Sequence, residues 1–315
     1  MAPRLGLGGG VTANPASGLF TSPYLLDNFP AHRAYSTRKV SSSYTGYCMK
    51  VRESGNNYTA DVAFDNTGVI TGNSLVYNKS NSSAGGPTLA DFCGSNEGHV
   101  HTWYDQSGNA SNATDTLGAF ASAANQPKIW SSNNLVQNGN GPVYASVLFD
   151  AGDRLNINPS GLSLGSTSAF AVVDFVPALS SGASETPFFL SYNTYYWYGL
   201  FITNHVQYFY YDNGANGFQT MIDFGSYSDV VRLYSLHGSN TRENTTLNVN
   251  GTVTTTSSTG NDTDAFQSSG TNTGMGNVFG YDFIGHISEL IVFNTDQLDN
   301  DSAIRENINR DFGVH

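Results

Sequence analysis

The chain has 315 residues, enough to bury a sizeable core, and a single large all-β domain is the preferred reading over two smaller ones. Its 13 Lys and Arg against 25 Asp and Glu leave a net charge of −12, which repels a phosphate backbone and excludes nucleic acid as an expected partner. Only 12% of the residues are charged, about half the usual share, so Asn, Ser, Thr and Gly take over the surface.

Residues 1–30 are rich in Gly, Pro and small side chains and show no sustained period, so they are expected to form an extended anchoring arm ahead of a folded domain spanning 31–315. The start, Met1-Ala-Pro-Arg-Leu-Gly-Leu-Gly-Gly-Gly, lacks the apolar core of a signal peptide, and Cys48 and Cys93 are the only cysteines. Synthesis in a reducing cytoplasm is expected, with two buried thiols or a disulfide formed later. No apolar run approaches the ~20 residues that cross a bilayer, so membrane insertion is not expected.

From Ala34 the pattern changes. Ala34 to Val40 reads as a short helix or strand, Tyr47 to Arg52 and Thr59 to Phe64 as strands, and Leu89 to Cys93 as a short helix. The central stretch is His99-Val-His-Thr-Trp-Tyr-Asp-Gln-Ser-Gly-Asn109. Alternation puts His99, His101 and Trp103 on one face of a strand and Val100, Thr102 and Tyr104 on the other. Asp105, Ser107, Gly108 and Asn109 then stop it in a fixed turn, through local side-chain hydrogen bonds and a residue free to take positive φ.

Gln126 to Trp130 and Tyr144 to Phe149 read as further short strands, and Ala169 to Phe175 is apolar on both faces, as a central strand covered on both sides would be. Strands are expected over 188–192, 195–202, 206–211, 230–236 and 246–249, with the turn Asn250-Gly251 leading into 252–254 and a last strand over 285–293. One helix closes the chain: Asp299, Asn300 or Asp301 caps it, Ile304, Ile308 and Phe312 share a face, and Gly313 stands at the C-cap. Many short strands with a single helix point to a β-sandwich or jelly roll.

Several runs, taken together, resemble one family. Ala34-Tyr-Ser-Thr-Arg-Lys-Val-Ser-Ser-Ser-Tyr-Thr-Gly46, Lys50-Val-Arg52, Asp61-Val-Ala-Phe64, Thr102-Trp-Tyr-Asp-Gln-Ser-Gly-Asn109 and Ala124-Asn-Gln-Pro-Lys-Ile129 are similar to the N-terminal signature of arabinofuranosidase B catalytic domains and their phage-encoded relatives. Val147-Leu-Phe-Asp150, Leu247-Asn-Val-Asn-Gly-Thr-Val253 and Gly285 to Phe293 resemble a concanavalin A-like, laminin G-like sandwich. The resemblance implies a two-sheet jelly roll over roughly residues 34–313, with one short C-terminal helix. The arm, with Leu5-Gly-Leu-Gly-Gly-Gly10, resembles the starts of tailed-phage virion proteins.

A retaining glycosidase needs two carboxyl groups about 5–5.5 Å apart. Aligned on the family, Asp212 before Asn213-Gly214 stands where the enzymes carry a nucleophilic Glu, on a shorter side chain. Gly274-Met-Gly-Asn-Val278 stands where they carry the acid/base Asp; the nearest carboxylate, Asp282, comes several residues late. Phe188-Phe189 replaces the enzymes' adjacent cysteines. These departures set the expectation of a non-catalytic protein; if it is an enzyme, Asp212 and Asp282 are its candidate carboxyls.

Other constellations carry two readings each. His99 and His101 project from one face as a metal pair would, or simply pack beside Trp103; no third ligand is marked, so no metal site is assigned. Asp105 to Asn109 offers oxygens to a Ca²⁺ ion or a sugar hydroxyl, or forms an Asx-type turn with no cofactor. Asp150, Asp153 and Arg154 read as an ion pair fixing a loop. Tyr195, Tyr196, Trp197, Tyr198, Tyr208, Phe209, Tyr210 and Tyr211 cannot all hide in one core, so a row of rings is expected on a sheet face, stacking on sugars or filling a protein interface. The expected carbohydrate site therefore comprises Trp103, Asp105, Tyr196, Trp197, Tyr198, Tyr208, Tyr210 and Asp212.

The functional expectation is a bacteriophage virion protein, a tail fibre, tailspike or head decoration. It would display a lectin-like domain to host-surface polysaccharide, join other virion subunits through its arm and form a homo-oligomer. The alternatives are a glycoside hydrolase related to arabinofuranosidases and a purely structural capsid cement.

Overall fold

The computed structural model describes residues 21–115, 123–138, 144–162, 166–175, 185–192, 197–203, 205–210, 218–222, 231–238, 246–255, 273–277 and 282–314. The chain enters through a short helix α1 (Leu25–Asn28) and strands β1 (Arg33–Ser36), β2 (Met49–Glu53), β3 (Thr59–Val62) and β4 (Val76–Tyr77). Helix α2 (Leu89–Cys93), strand β5 (Gly98–Trp103) and the short strands β6 (Ala113–Thr114), β7 (Lys128–Ser131), β8 (Asn134–Leu135), β9 (Val147–Phe149) and β10 (Arg154–Asn156) follow. The longer strands are β11 (Ser168–Phe175), β12 (Glu185–Tyr192), β13 (Trp197–Thr203), β14 (His205–Tyr210), β15 (Phe218–Ile222) and β16 (Arg232–His237). The hairpin β17 (Thr246–Val249) and β18 (Thr252–Thr255), the glycine-rich β19 (Gly274–Gly276), β20 (Gly285–Phe293) and helix α3 (Asp301–Phe312) complete the chain.

The described strand pairings are antiparallel and trace two sheets. One runs β18, β17, β16, β11, β20, with β1 and β9 sharing the far edge of β20. The other runs β4, β3, β2, β5, β6, β10, β19, β12, β13, β14, β15. Strand β7 pairs with both β5 and β9 and carries the hydrogen bonding around the fold between the sheets. The all-β sandwich expected from the sequence is the architecture found.

Strand β11 shows why the sandwich has a third layer. Ala169, Ala171 and Val173 enter the core between the sheets with Val100, Trp103, Leu155 and Phe188. Phe170 and Val172 point the other way, to a second core with Leu233, Ile291, Ile304, Ile308 and Phe312. The three α3 side chains in that core fall on one helix face, and burying each contributes roughly 1.5–3 kcal/mol. The expected cap differs: Asn300 makes no side-chain cap bond, and the Asp301 carboxylate reaches back to the sheet, accepting from His237 Nε2 at 2.9 Å and Asn248 Nδ2 at 2.8 Å.

The inner end of the expected extended arm is held by the domain itself. Leu25 and Leu26 are buried in the second core, and Leu26 N–H donates to Val40 O at 2.8 Å. Residues 21–30 therefore belong to the domain, while 1–20 lie outside the described residues. Cys48 and Cys93 are both free and buried, and burial pushes the Cys93 thiol up to about 12. Among the described residues no helix is long and apolar enough to cross a membrane.

One buried ion pair joins both cores. Arg38 grips Glu289 of β20 bidentately, Nε to Oε2 at 2.8 Å and Nη2 to Oε1 at 3.0 Å, and its Nη1 reaches Asn307 and Asp311 on α3. Ser36 Oγ adds a donor to Glu289 at 2.6 Å. Removing one partner leaves an uncompensated buried charge, so Glu289→Ala should cost roughly 3–5 kcal/mol in urea unfolding. A loss under about 1 kcal/mol would contradict this role for the pair.

Candidate functional site

The central stretch folds as a strand and fixed turn, but its faces differ from simple alternation. Lys50 lies opposite Thr102 while the next residue, Val51, lies opposite Val100, so His101 is an extra residue on β5. This bulge swings Trp103 onto the face of Val100. Trp103 is fully buried, its indole N–H directed at Ser36 O at 3.3 Å, and it has no ring face left for a sugar.

Asp105 is equally committed. Its Oδ1 accepts from Ala34 N and Ser107 N, both at 2.9 Å, and its Oδ2 from Ser107 Oγ at 2.8 Å and Ser111 N at 3.1 Å. Four bonds fill the carboxylate, which corrects the Ca²⁺ and sugar-hydroxyl readings in favour of the turn. Gln106 does the same for β1 and its exit, accepting from Val40 N and donating to Ser36 O and Arg38 O. His99 Nδ1 meets Gln126 O at 3.0 Å and His101 Nδ1 meets Thr102 Oγ1 at 2.9 Å. Among the described residues no group of three His, Cys, Asp or Glu is placed to hold a metal ion.

The aromatic row is partly interior. Tyr198 is fully buried, with its hydroxyl between Thr167 O at 3.0 Å and Leu236 O at 3.2 Å, so it is not a surface ring. Trp197, Tyr208 and Tyr210 have described strand positions, opposite Tyr192, Leu200 and Tyr198 respectively. Tyr196 and Asp212 lie outside the described residues. A cleft of about 530 Å³ lies along β7 and β8, but Trp130 in it is 5% exposed and gives its indole N–H to Gly94 O.

A more chemical region lies at one end of the sandwich. Strand β19 ends at Gly276, where a Cβ would sit 2.2 Å from Asp153 O and where φ is +89°. Glycine is thus required for the chain to press against β10 and turn. The turn delivers Asn277 N–H to Asp153 O at 2.6 Å and lets Asn277 Nδ2 donate to Asp282 Oδ1. The same Asp282 oxygen accepts Gly152 N–H at 3.0 Å. The carboxylate that comes late in sequence thus accepts from Asn277, at the end of the glycine-rich strand.

Other acids meet there. Asp153, at the start of β10, is 3% exposed; burial, with the nearby Asp150 charge adding to it, pushes its carboxyl up to about 7 although it accepts Asp150 N–H at 2.8 Å. Asp150 pairs with Lys128 at 3.0 Å. Strand β12 lies antiparallel to β19, Phe188 opposite Met275 and Phe189 opposite Gly274, so Glu185 at the start of β12 lies at the end where β19 finishes. Burial pushes Glu185 up to about 8, against a single backbone bond from Ile284. Asp174 and His286, 3.6 Å apart, close the group from β11 and β20.

Strand register places the exit of β14, beyond which Asp212 lies outside the described residues, away from β19. Ser191 lies opposite Tyr198 and Tyr198 opposite Tyr210, so β14 finishes at the Tyr192 end of β12, away from Glu185, Asn277 and Asp282. The described strands bring Asp282 towards Glu185, not towards the exit of β14. Glu185 escaped the sequence reading. The signal was there: it is the single acid between Asp174 and Asp212, at the head of an apolar run.

A second polar line carries no chemistry. Ser168 Oγ, His237 Nδ1 and Nε2, and Asp301 Oδ1 follow one another at 3.0 and 2.9 Å, in the order of a nucleophile, base and carboxylate. Ser168 is fully buried and its Oγ accepts Gln297 N–H, so it fastens α3 to the sheet.

No family model and no curated protein matches the chain. Among solved structures, a GH54 α-L-arabinofuranosidase soaked with a cyclic sulfate inhibitor is similar with a TM-score of 0.57 and 15% identity, over 89% of this chain and 62% of that one. A mutant GH54 arabinofuranosidase soaked with 4-nitrophenyl α-L-arabinofuranoside gives a TM-score of 0.55 at 16% identity, with the same 89% and 62% coverage. An arabinofuranosidase complexed with arabinofuranosyl-α-1,2-xylobiose gives 0.53 and 15%, over 90% of this chain and 64% of that one. The chain thus spans less than two thirds of the length of these enzymes. At such identities the likeness is one of fold. It overturns the expectation of a non-catalytic chain, since the scaffold shared over 89% of the sequence is that of glycosidases. None of the three is a virion protein, and that reading draws no support from them.

The raised carboxyls make stability pH-dependent. Between the ordinary carboxylate range and about pH 7 for Asp153 or about pH 8 for Glu185, the folded chain holds protons that the unfolded chain has released. Their contribution is complete at low pH and is lost as pH rises through those values. Thermal midpoints should therefore fall from about pH 5 to about pH 9, and Glu185→Gln should flatten the upper part of that fall. A wild-type midpoint that rises across the interval would contradict the burial argument.

Proposed function

We propose that the chain is a glycoside hydrolase acting on arabinofuranosyl-containing glycans, with its chemistry at the sandwich end that holds Asp282. The observation that carries the reading is the return of the Asp282 carboxylate onto Asn277 and Gly152 at the close of the glycine-rich β19. Glycosidic hydrolysis requires one carboxyl to protonate the departing oxygen and another to act at the anomeric carbon. The end of the sandwich supplies candidates for both roles in two electrostatic settings. Asp282 is part-exposed and hydrogen-bonded, while Asp153 and Glu185 are buried and held proton-rich. The fold shared with arabinofuranosidases supports the substrate class. The acidic, amide-rich surface fits a neutral polysaccharide better than an anionic one.

Wild-type protein should release 4-nitrophenol from 4-nitrophenyl α-L-arabinofuranoside, and Asp282→Asn should lower kcat by roughly 10²- to 10⁴-fold. Asp212→Asn, measured alongside, tests the other carboxyl suggested by the sequence. No release by the wild type at any pH between about 4 and 9 would refute the proposal.

A further inference from the structure

We propose that Glu185 is the proton donor to the departing glycosidic oxygen, supplying from β12 the carboxyl that β19 lacks at Asn277. This inference rests on the glycosidase reading above and names the group that does its acid work.

The geometry sets Glu185 apart from the other buried acids. Glu289 is gripped by Arg38, Asp174 lies beside His286, Asp115 beside His101 and Asp61 beside Lys50, and Asp153 accepts the Asp150 N–H and feels the Lys128 charge. Glu53 accepts backbone N–H bonds from Gly55, Asn56 and Tyr58, and Asp105 accepts its four. Glu185 is 6% exposed, takes one backbone N–H from Ile284, and its Oε2 has no hydrogen-bond partner among the described residues. No cation is among the causes acting on it. A carboxyl in such a place is stable only as the neutral acid, which is the form a proton donor must hold.

Its position follows from register. Phe188 opposite Met275 and Phe189 opposite Gly274 put the start of β12 beside the end of β19, and the bond from Ile284 ties Glu185 to the segment that begins with Asp282. The charged and titratable groups at this end include Asp282 on that segment, Asp153, Asp150 and Arg154 by β10, Lys128 of β7 paired with Asp150, and the Asp174 and His286 pair on β11 and β20. The turn of β12 here departs from regular pairing, since its register with β13 shifts between Glu185 and Phe188.

In the step assigned to it, the Glu185 proton passes to the glycosidic oxygen as the bond from that oxygen to the anomeric carbon breaks and its electron pair leaves with the oxygen. A water molecule then supplies hydroxide to the anomeric carbon and a proton back to Glu185. One water is consumed and the residue ends as it began.

The test compares leaving groups. Nitrophenolate is a stable anion that departs without a proton, whereas the sugar alkoxide of arabinofuranosyl-xylobiose does not. Glu185→Gln should lower kcat/KM on arabinofuranosyl-xylobiose by roughly 10²- to 10⁴-fold and on the nitrophenyl glycoside by under about 10-fold. The wild-type profile on the xylobiose should have a basic limb near pH 8 that the variant lacks. Equal losses on both substrates, or none on either, would overturn the assignment to Glu185. So would a wild-type profile with no limb near pH 8, a result that stands even if the variant folds poorly. A wild type inactive on both substrates is instead the failure of the glycosidase reading itself.

Discussion

The molecule obeys one electrostatic constraint almost throughout: a carboxylate taken out of water must be answered. The Arg38 and Glu289 pair is its fullest expression, buried on both sides and linking β20 to α3. Around it, Ser36, Asn307 and Asp311 occupy the remaining donors and acceptors, so the charge costs little once the fold is complete and much if any part is missing. The same constraint shapes the central turn, where Asp105 and Gln106 use side-chain atoms as substitute strand partners for 34–40. Asp301 does so for α3, whose first residue serves the sheet in place of its own cap.

Against that rule, the end of the sandwich is the exception. Glycine at 276 lets β19 touch β10, Asp282 accepts from Asn277, and β12 contributes a carboxyl with one bond and no counter-charge among its causes. Burial at that end raises protonation instead of being cancelled by cations, and buried acids held proton-rich beside a hydrogen-bonded carboxylate are what acid-assisted bond cleavage requires. Among the described residues, Glu289, Asp105 and Glu53 show the opposite arrangement, each carboxylate held by an ion pair or by several hydrogen bonds.

Much of the fold was legible in the sequence because it is periodic. The two-faced apolar run of β11, the Ile304, Ile308 and Phe312 stripe and the Asn250-Gly251 hairpin turn all report short-range geometry, and all are found as read. The site was less legible, for identifiable reasons. A one-residue bulge at His101 reversed the face of Trp103, and no local signal marks a bulge. Tyr198 belongs to an aromatic run whose split between interior and surface depends on the facing sheet. Asp282 looked misplaced because sequence distance does not show its hydrogen bond with Asn277, and Glu185, visible in the sequence only as a lone acid heading an apolar run, acquires its character from burial in the folded sheet.

The most direct measurement of the central claim is a crystal structure of the Glu185→Gln variant with arabinofuranosyl-xylobiose. The account predicts the sugar at the end formed by β12, β19 and the start of β20, with its glycosidic oxygen about 3 Å from the substituted amide and its anomeric carbon facing Asp282. A sugar seated at the opposite, Tyr192 end of the sheet would contradict it.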